Sequence, residues 1–199
     1  MYNRSKSPQV RYSLESLTKS FFYFMQTQKM DEIRITQICE KAGLARRTFY
    51  RNCESRQDLI LYACDRLIEE LQETVDFSSE DARQLYMNFF SYWGRHKLFL
   101  RCLKENDLYG LLVERFVRIS SEGMRFPLQE KALGELVDPE QARFYCNSFL
   151  LGGLTRMLNA WAEDEFRADE KALTESILFL APVQQKAWDG IPEKTLNGA

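Results

Sequence analysis

Apolar residues recur at helical spacing from the start of the chain. Leu14, Leu17, Phe21, Phe24 and Met25 share one face and predict a first helix over about 13–28. Ile33 and Ile35 lie in a short connector. Thr36 is placed to cap a second helix, and Gly43, just past its last apolar position, is placed to stop it. A third, short helix follows over about 46–53. Ser55-Arg56-Gln57-Asp58, a capping box with Asp in the place of Glu, opens a long fourth helix reaching about Val75. After a polar break at 76–80, helices are predicted over 81–94, 98–105 and 108–123. Asp138-Pro139-Glu140-Gln141 combines a capping Asp with Pro at the first helical position, so a helix should run over 139–162, and a last one over 169–181. No segment alternates cleanly enough to read as a strand, so the expected fold is all-α.

The stretch 36–51 is the most informative. Ile38, Cys39, Ala42, Leu44 and Phe49 can all point inward, so two short helices share one small core across the Gly43 turn. That is helix-turn-helix geometry, with small Cys39 and Ala42 permitting close approach. The outward residues of the second of these helices are then Arg46, Arg47, Thr48, Tyr50 and Arg51. Arginines fork to guanine edges or phosphates, threonine touches a thymine methyl, and tyrosine donates to phosphate. Charge sharpens the picture. The first 60 residues hold 11 basic and 6 acidic side chains, whereas the rest hold 16 and 23. A basic head on an acidic body is what a localised polyanion site requires.

Composition removes several other classes. Hydrophobic residues make up 45% and charged residues 28% of 199, with 9 Gly and 5 Pro, as expected for a folded protein without collagen-like or linker-rich tracts. No run is long and apolar enough for a membrane span, and the polar start MYNRSKSPQVRYS lacks the core of a signal peptide, so a cytoplasmic location is expected. Five cysteines (39, 53, 64, 102 and 146), with no CxxC pair, read as reduced thiols, not as a disulfide framework or zinc site. The single histidine, His96, sits between cations in Gly94-Arg95-His96-Lys97 with no nucleophile in view, so neither an enzyme, a metal site nor a cofactor is expected.

Residues 13–75 resemble the DNA-binding head of the TetR/AcrR family of bacterial transcriptional regulators. The matching run is ITQICEKAGLARRTFYRNCESRQDLI, residues 35–60. It carries the Ala-Gly-Leu turn, the Thr-Phe-Tyr-Arg recognition helix and the Ser-Arg-Gln-Asp-Leu opening of the fourth helix. In the body, Phe89-Phe90-x-x-Trp93, Phe99-Leu100, Leu111-Leu112 and Gly152-Gly153-Leu154 resemble a variable C-terminal domain found in that family, often in Gram-positive bacteria. Residues 1–12 read as a flexible basic arm and 189–199 as a frayed tail; between them the resemblance implies a helix-turn-helix head (13–75) and a helical regulatory and dimerisation body (76–188). It further implies a homodimer that represses a promoter at a palindromic operator and releases it when a small molecule binds.

Carried over position by position, a phosphate contact falls on Thr36, recognition-helix contacts on Ala45, Arg46, Arg47, Thr48, Tyr50, Arg51 and Asn52, and a basic contact on Arg56. Ala45 departs from a common Ser or Thr, which removes a cap worth about 1 kcal/mol. Asn52 stands for a frequent His, and Cys53 for a common Phe. In the body, Phe89, Trp93, Phe116 and Phe144 are the expected lining for an apolar or aromatic effector. The dimer is expected to form through two stripes: Leu150, Gly153, Leu154, Met157 and Trp161, then Leu173, Ile177 and Leu180. The rival readings are a helical interaction protein with a degenerate head, and a redox-sensing regulator using Cys39 or Cys53.

Overall fold

The computed structural model describes residues 1–5, 7–79, 81–120 and 139–189, and among these every regular element is helical. The head comprises α1 (Pro8–Met25), a 3-10 turn (Met30–Glu32), α2 (Ile35–Ala42) and α3 (Arg46–Asn52). Helix α4 (Gln57–Thr74) leads into the body: α5 (Ala82–Gly94), α6 (Lys97–Glu105), α7 (Tyr109–Ser120), α8 (Pro139–Glu163) and α9 (Glu170–Asp189).

Helix α1 begins earlier than its apolar pattern indicates, because Pro8 occupies the first helical position, where its missing N–H costs nothing. It also ends earlier, where the N–H groups of Thr27 and Gln28 both return to the Phe24 carbonyl. Leu14, Leu17 and Phe21 are buried against Ile33, Ile38, Phe49 and Leu59. Each such side chain contributes about 1.5–3 kcal/mol by leaving water. Gly43 stops α2 in the left-handed region at φ 67°, and the Leu44 N–H closes on the Cys39 carbonyl at 2.9 Å.

Head and body meet through packed helices and through the Met30 N–H, which donates to the Asn106 side-chain oxygen at 2.9 Å. Helix α4 packs on α1 at one end and on α7 further along; α1 meets α6 through Phe22 and Phe99, whose ring centroids are 5.4 Å apart. The buried residues form one continuous cluster, with Phe89, Phe90, Trp93, Leu100, Phe116, Leu158 and Trp161 filling the body. Helix α9 packs on α5 and α7 on α8.

The segment expected as a flexible arm is instead docked. The Tyr2 hydroxyl donates to the Asp65 carboxylate, the Tyr2 ring stands edge-on to Tyr62 at 5.4 Å, and the Asn3 N–H donates to the Asn52 carbonyl at 2.7 Å. A polar segment reads as mobile from composition, but the acceptors that hold this one are far along the chain. Of the frayed tail expected at 189–199, Asp189 is the last residue of α9, and 190–199 lie outside the described residues.

Candidate nucleic-acid interface

Thr36 is the second residue of α2 and does not cap it; Arg34 precedes the helix in extended conformation, and its N–H donates to the Gln37 side chain at 2.9 Å. Ala45, extended at φ −70° and ψ 147°, offers no side-chain cap to α3, and the Thr48 N–H takes the Ala45 carbonyl at 2.8 Å. With Phe49 fully buried, α3 turns Arg46, Arg47, Tyr50 and Arg51 outward, all exposed, and leaves Thr48 half-buried. None of the three arginines has an ion-pair partner among the described residues, and neither does Arg34. Arg46 lies one helical turn from Tyr50, its guanidinium 5.9 Å from the ring centroid. A hydrogen bond with the Tyr50 phenol raises the Arg46 pKa above its ordinary value.

The N-terminus of α2, the outer face of α3 and the start of α4 enclose a polar recess of about 480 Å³. It brings Thr36, Arg46, Tyr50 and Arg56 together with Arg34, Ser55 and Glu54. Arg34 is the residue that sequence reasoning missed. Its signal was its place just before α2, where backbone N–H groups and a cation face the same way.

One expected contact, Asn52, is corrected, and another, Arg56, has a structural role as well. Asn52 is 1% exposed: its amide donates to the Thr48 carbonyl at 2.8 Å and its oxygen faces the Asn3 amide, so it belongs to the interior. Arg56 is half-buried, and one guanidinium nitrogen donates to the carbonyls of Ile33 at 2.6 Å and Asp31 at 3.0 Å. It braces the turn leading into α2. The capping box at 55–58 is half realised: the Asp58 carboxylate accepts from the Glu54 and Ser55 N–H groups, with no cap from the Ser55 side chain.

In the body, Phe89, Trp93 and Phe116 do come together, with ring centroids 6.1–6.5 Å apart, and all are buried. Phe144 does not join them: it is 50% exposed on the outer side of α8. The stripe expected at a dimer seam is also corrected. Leu154 and Trp161 are buried in the protomer's own core, and Leu150, Met157, Leu173 and Ile177 are half-buried against it. The Leu180 side chain lies outside the described residues. The outward face of α8 carries Tyr145, Phe149, Gly153 and Ala160, together with the exposed Arg156–Glu163 ion pair, and Phe179 is exposed on α9. A methyl group added at Gly152 or Gly153 would meet nothing within 4 Å, so the glycine pair is not explained by packing inside the protomer.

The thiols suit a structural role. Burial pushes Cys53 and Cys64 up to about 12 and raises Cys39, so the reactive thiolate is suppressed at the two positions a redox switch would use. His96 is half-buried, with its ring 4.7 Å from that of Tyr92.

No family model matches the chain, and no curated protein matches it in sequence. Solved structures do match in shape. The dihydroxyacetone kinase operon activator DhaS superposes with a TM-score of 0.60 at 14% identity, over 88% of this chain and 97% of that one. The fatty acid degradation regulator FadR from Bacillus halodurans gives 0.55 at 14% identity, over 87% and 94%. The TetR family repressor AlkX from Dietzia sp. strain DQ12-45-1b, implicated in biodegradation of n-alkanes, gives 0.51 at 14% identity, over 92% and 98%. The chain therefore has the all-helical fold of TetR-like regulators along nearly its whole length.

Proposed function

We propose that this TetR-like chain is a sequence-specific DNA-binding transcriptional regulator that works as a homodimer and represses until a small apolar or aromatic molecule binds its body. The observation that carries the reading is the outer face of α3, where Arg46, Arg47, Tyr50 and Arg51 stand exposed, the arginines with no ion-pair partner among the described residues, beside the recess at the start of α2. A short helix presented in this way suits a major groove, with Thr36, Arg34 and the α2 N-terminus toward phosphates. Two copies related by a two-fold axis would read a palindrome, and the bare face of Phe149 and Gly153 is the surface they would share. The effector reading is supported by Trp93, whose indole N–H is buried without a hydrogen-bond partner among the described residues, beside Phe89 and Phe116. An aromatic ligand bearing one acceptor would fit that environment.

The test is selection of operator sequences from a random DNA pool with the full chain. Arg46→Ala or Arg47→Ala should each cost about 1–3 kcal/mol and relax preference at particular base pairs. Thr36→Ala should weaken all sequences alike. Unchanged operator affinity in the triple variant Arg46→Ala/Arg47→Ala/Tyr50→Ala would falsify the assignment.

A further inference from the structure

Asp65, midway along α4 and buried, accepts a bidentate ion pair from the equally buried Arg115 of α7. One of its oxygens also accepts the Tyr2 hydroxyl. Arg118 of α7 also reaches the same carboxylate, at 3.7 Å. A buried carboxylate stripped of such partners is costly, so these groups hold one another in a fixed geometry. The next residue, Asn3, points the other way. Its N–H donates at 2.7 Å to the carbonyl of Asn52, the last residue of α3, and its amide lies 3.4 Å from the Asn52 side-chain oxygen. Two consecutive residues thus join the contact between head and body to the end of the helix proposed to read DNA.

We propose that Tyr2 and Asn3 are positioning residues, a strap through which the α4–α7 junction sets the position of α3. The device rests on the DNA-binding reading for its purpose, though not for its existence. Any shift of α7 along α4 carries Arg115 away from Asp65 and alters the acceptor that Tyr2 holds. The link from the Tyr2 hydroxyl to the Asn3 N–H is one side chain and one peptide unit long, so part of that displacement passes to the Asn3–Asn52 hydrogen bond. Helix α3 has only seven residues, so a contact at its last one acts on the whole helix. The strap supplies a second route from body to head, beside the direct packing of α4 on α1 and α7.

Tyr2→Phe removes only the hydroxyl and keeps the ring on Tyr62; Asn3→Pro removes the backbone N–H and the side-chain amide together, so both of the contacts that Asn3 makes with Asn52 are lost. The full chain, both single variants and the double variant are compared by amide hydrogen exchange without DNA, and by affinity for the operator selected by the wild-type chain. Each single variant should speed exchange in the last turn of α3 by about tenfold, leaving α5 and α6 unchanged. Each should weaken operator binding by about fivefold, and the double variant should be no weaker than the worse single one. Unaltered exchange at α3 in both variants, exchange that rises equally across the body, or losses that add in the double variant overturn the strap. If the wild-type chain selects no DNA sequence, the DNA-binding reading fails separately, and the exchange pattern still decides the strap.

Discussion

The outer faces of α3 and α8 are both uncovered, in opposite chemistry. Helix α3 exposes three arginines and a tyrosine at 53%. Helix α8 exposes Tyr145 at 62% and Phe149 at 74%, with a glycine pair beside them and Phe179 at 76% on the next helix. A cationic face keeps its water until a polyanion replaces it, and its binding weakens steeply with salt. An apolar face with room for close backbone approach suits a copy of itself, and salt leaves that attraction nearly untouched. The difference teaches that the two faces answer to separate variables: added salt weakens the contact made by one and leaves that made by the other nearly unchanged.

The largest expected effect is on the apolar side. Phe149→Glu puts a charge at the centre of the proposed seam and should turn the dimer into a folded monomer, read by light scattering. Operator affinity should then fall by about 10²–10⁴-fold, because the second head no longer binds as part of the same molecule. A variant that stays dimeric would move the seam elsewhere. The intermediate effect separates a strut from a contact on the cationic side. Arg56→Ala should lower the stability of the head by about 1–2 kcal/mol, since two backbone carbonyls lose a charged donor. The salt dependence of DNA binding should not change; a shallower slope would make Arg56 a phosphate contact after all. The smallest effect is pH-dependent and belongs to the body. Burial lowers the pKa of His96, so the folded state favours its neutral ring. Its contribution to stability is complete above the ordinary histidine pKa and is lost as pH falls through the depressed folded value. Thermal melting between pH 7.5 and 5.5 should decline slightly more for the wild type than for His96→Gln, and identical profiles would remove histidine from the account.

The α2–α3 pair was legible because its signals are local. Gly43 can take the positive φ that ends α2, Phe49 marks the inner side of α3, and Pro139 marks the start of α8. What escaped was tertiary. Arg56 braces carbonyls 23 and 25 residues away, and Tyr2 finds its acceptor 63 residues along the chain. Neither partner is implied by spacing. Helix α8 misled for another reason: it is apolar on more than one side. Leu151, Leu154, Leu158 and Trp161 face inward, while Tyr145 and Phe149 face outward, and periodicity cannot rank the two faces. Asn52 looks like a polar contact in sequence, yet it is the hydrogen-bonded plug that closes α3.

The placement of the thiols has a practical consequence. Four are buried, and Cys146 is half-exposed on α8, about one turn before Phe149. Reagents that attack thiolate are thus steered to one position per chain. A nitroxide or fluorophore placed there in the native sequence sits beside the bare apolar face. In a two-fold assembly the two labels would report their mutual distance directly, giving a molecular ruler across the seam before any cysteine is added or removed.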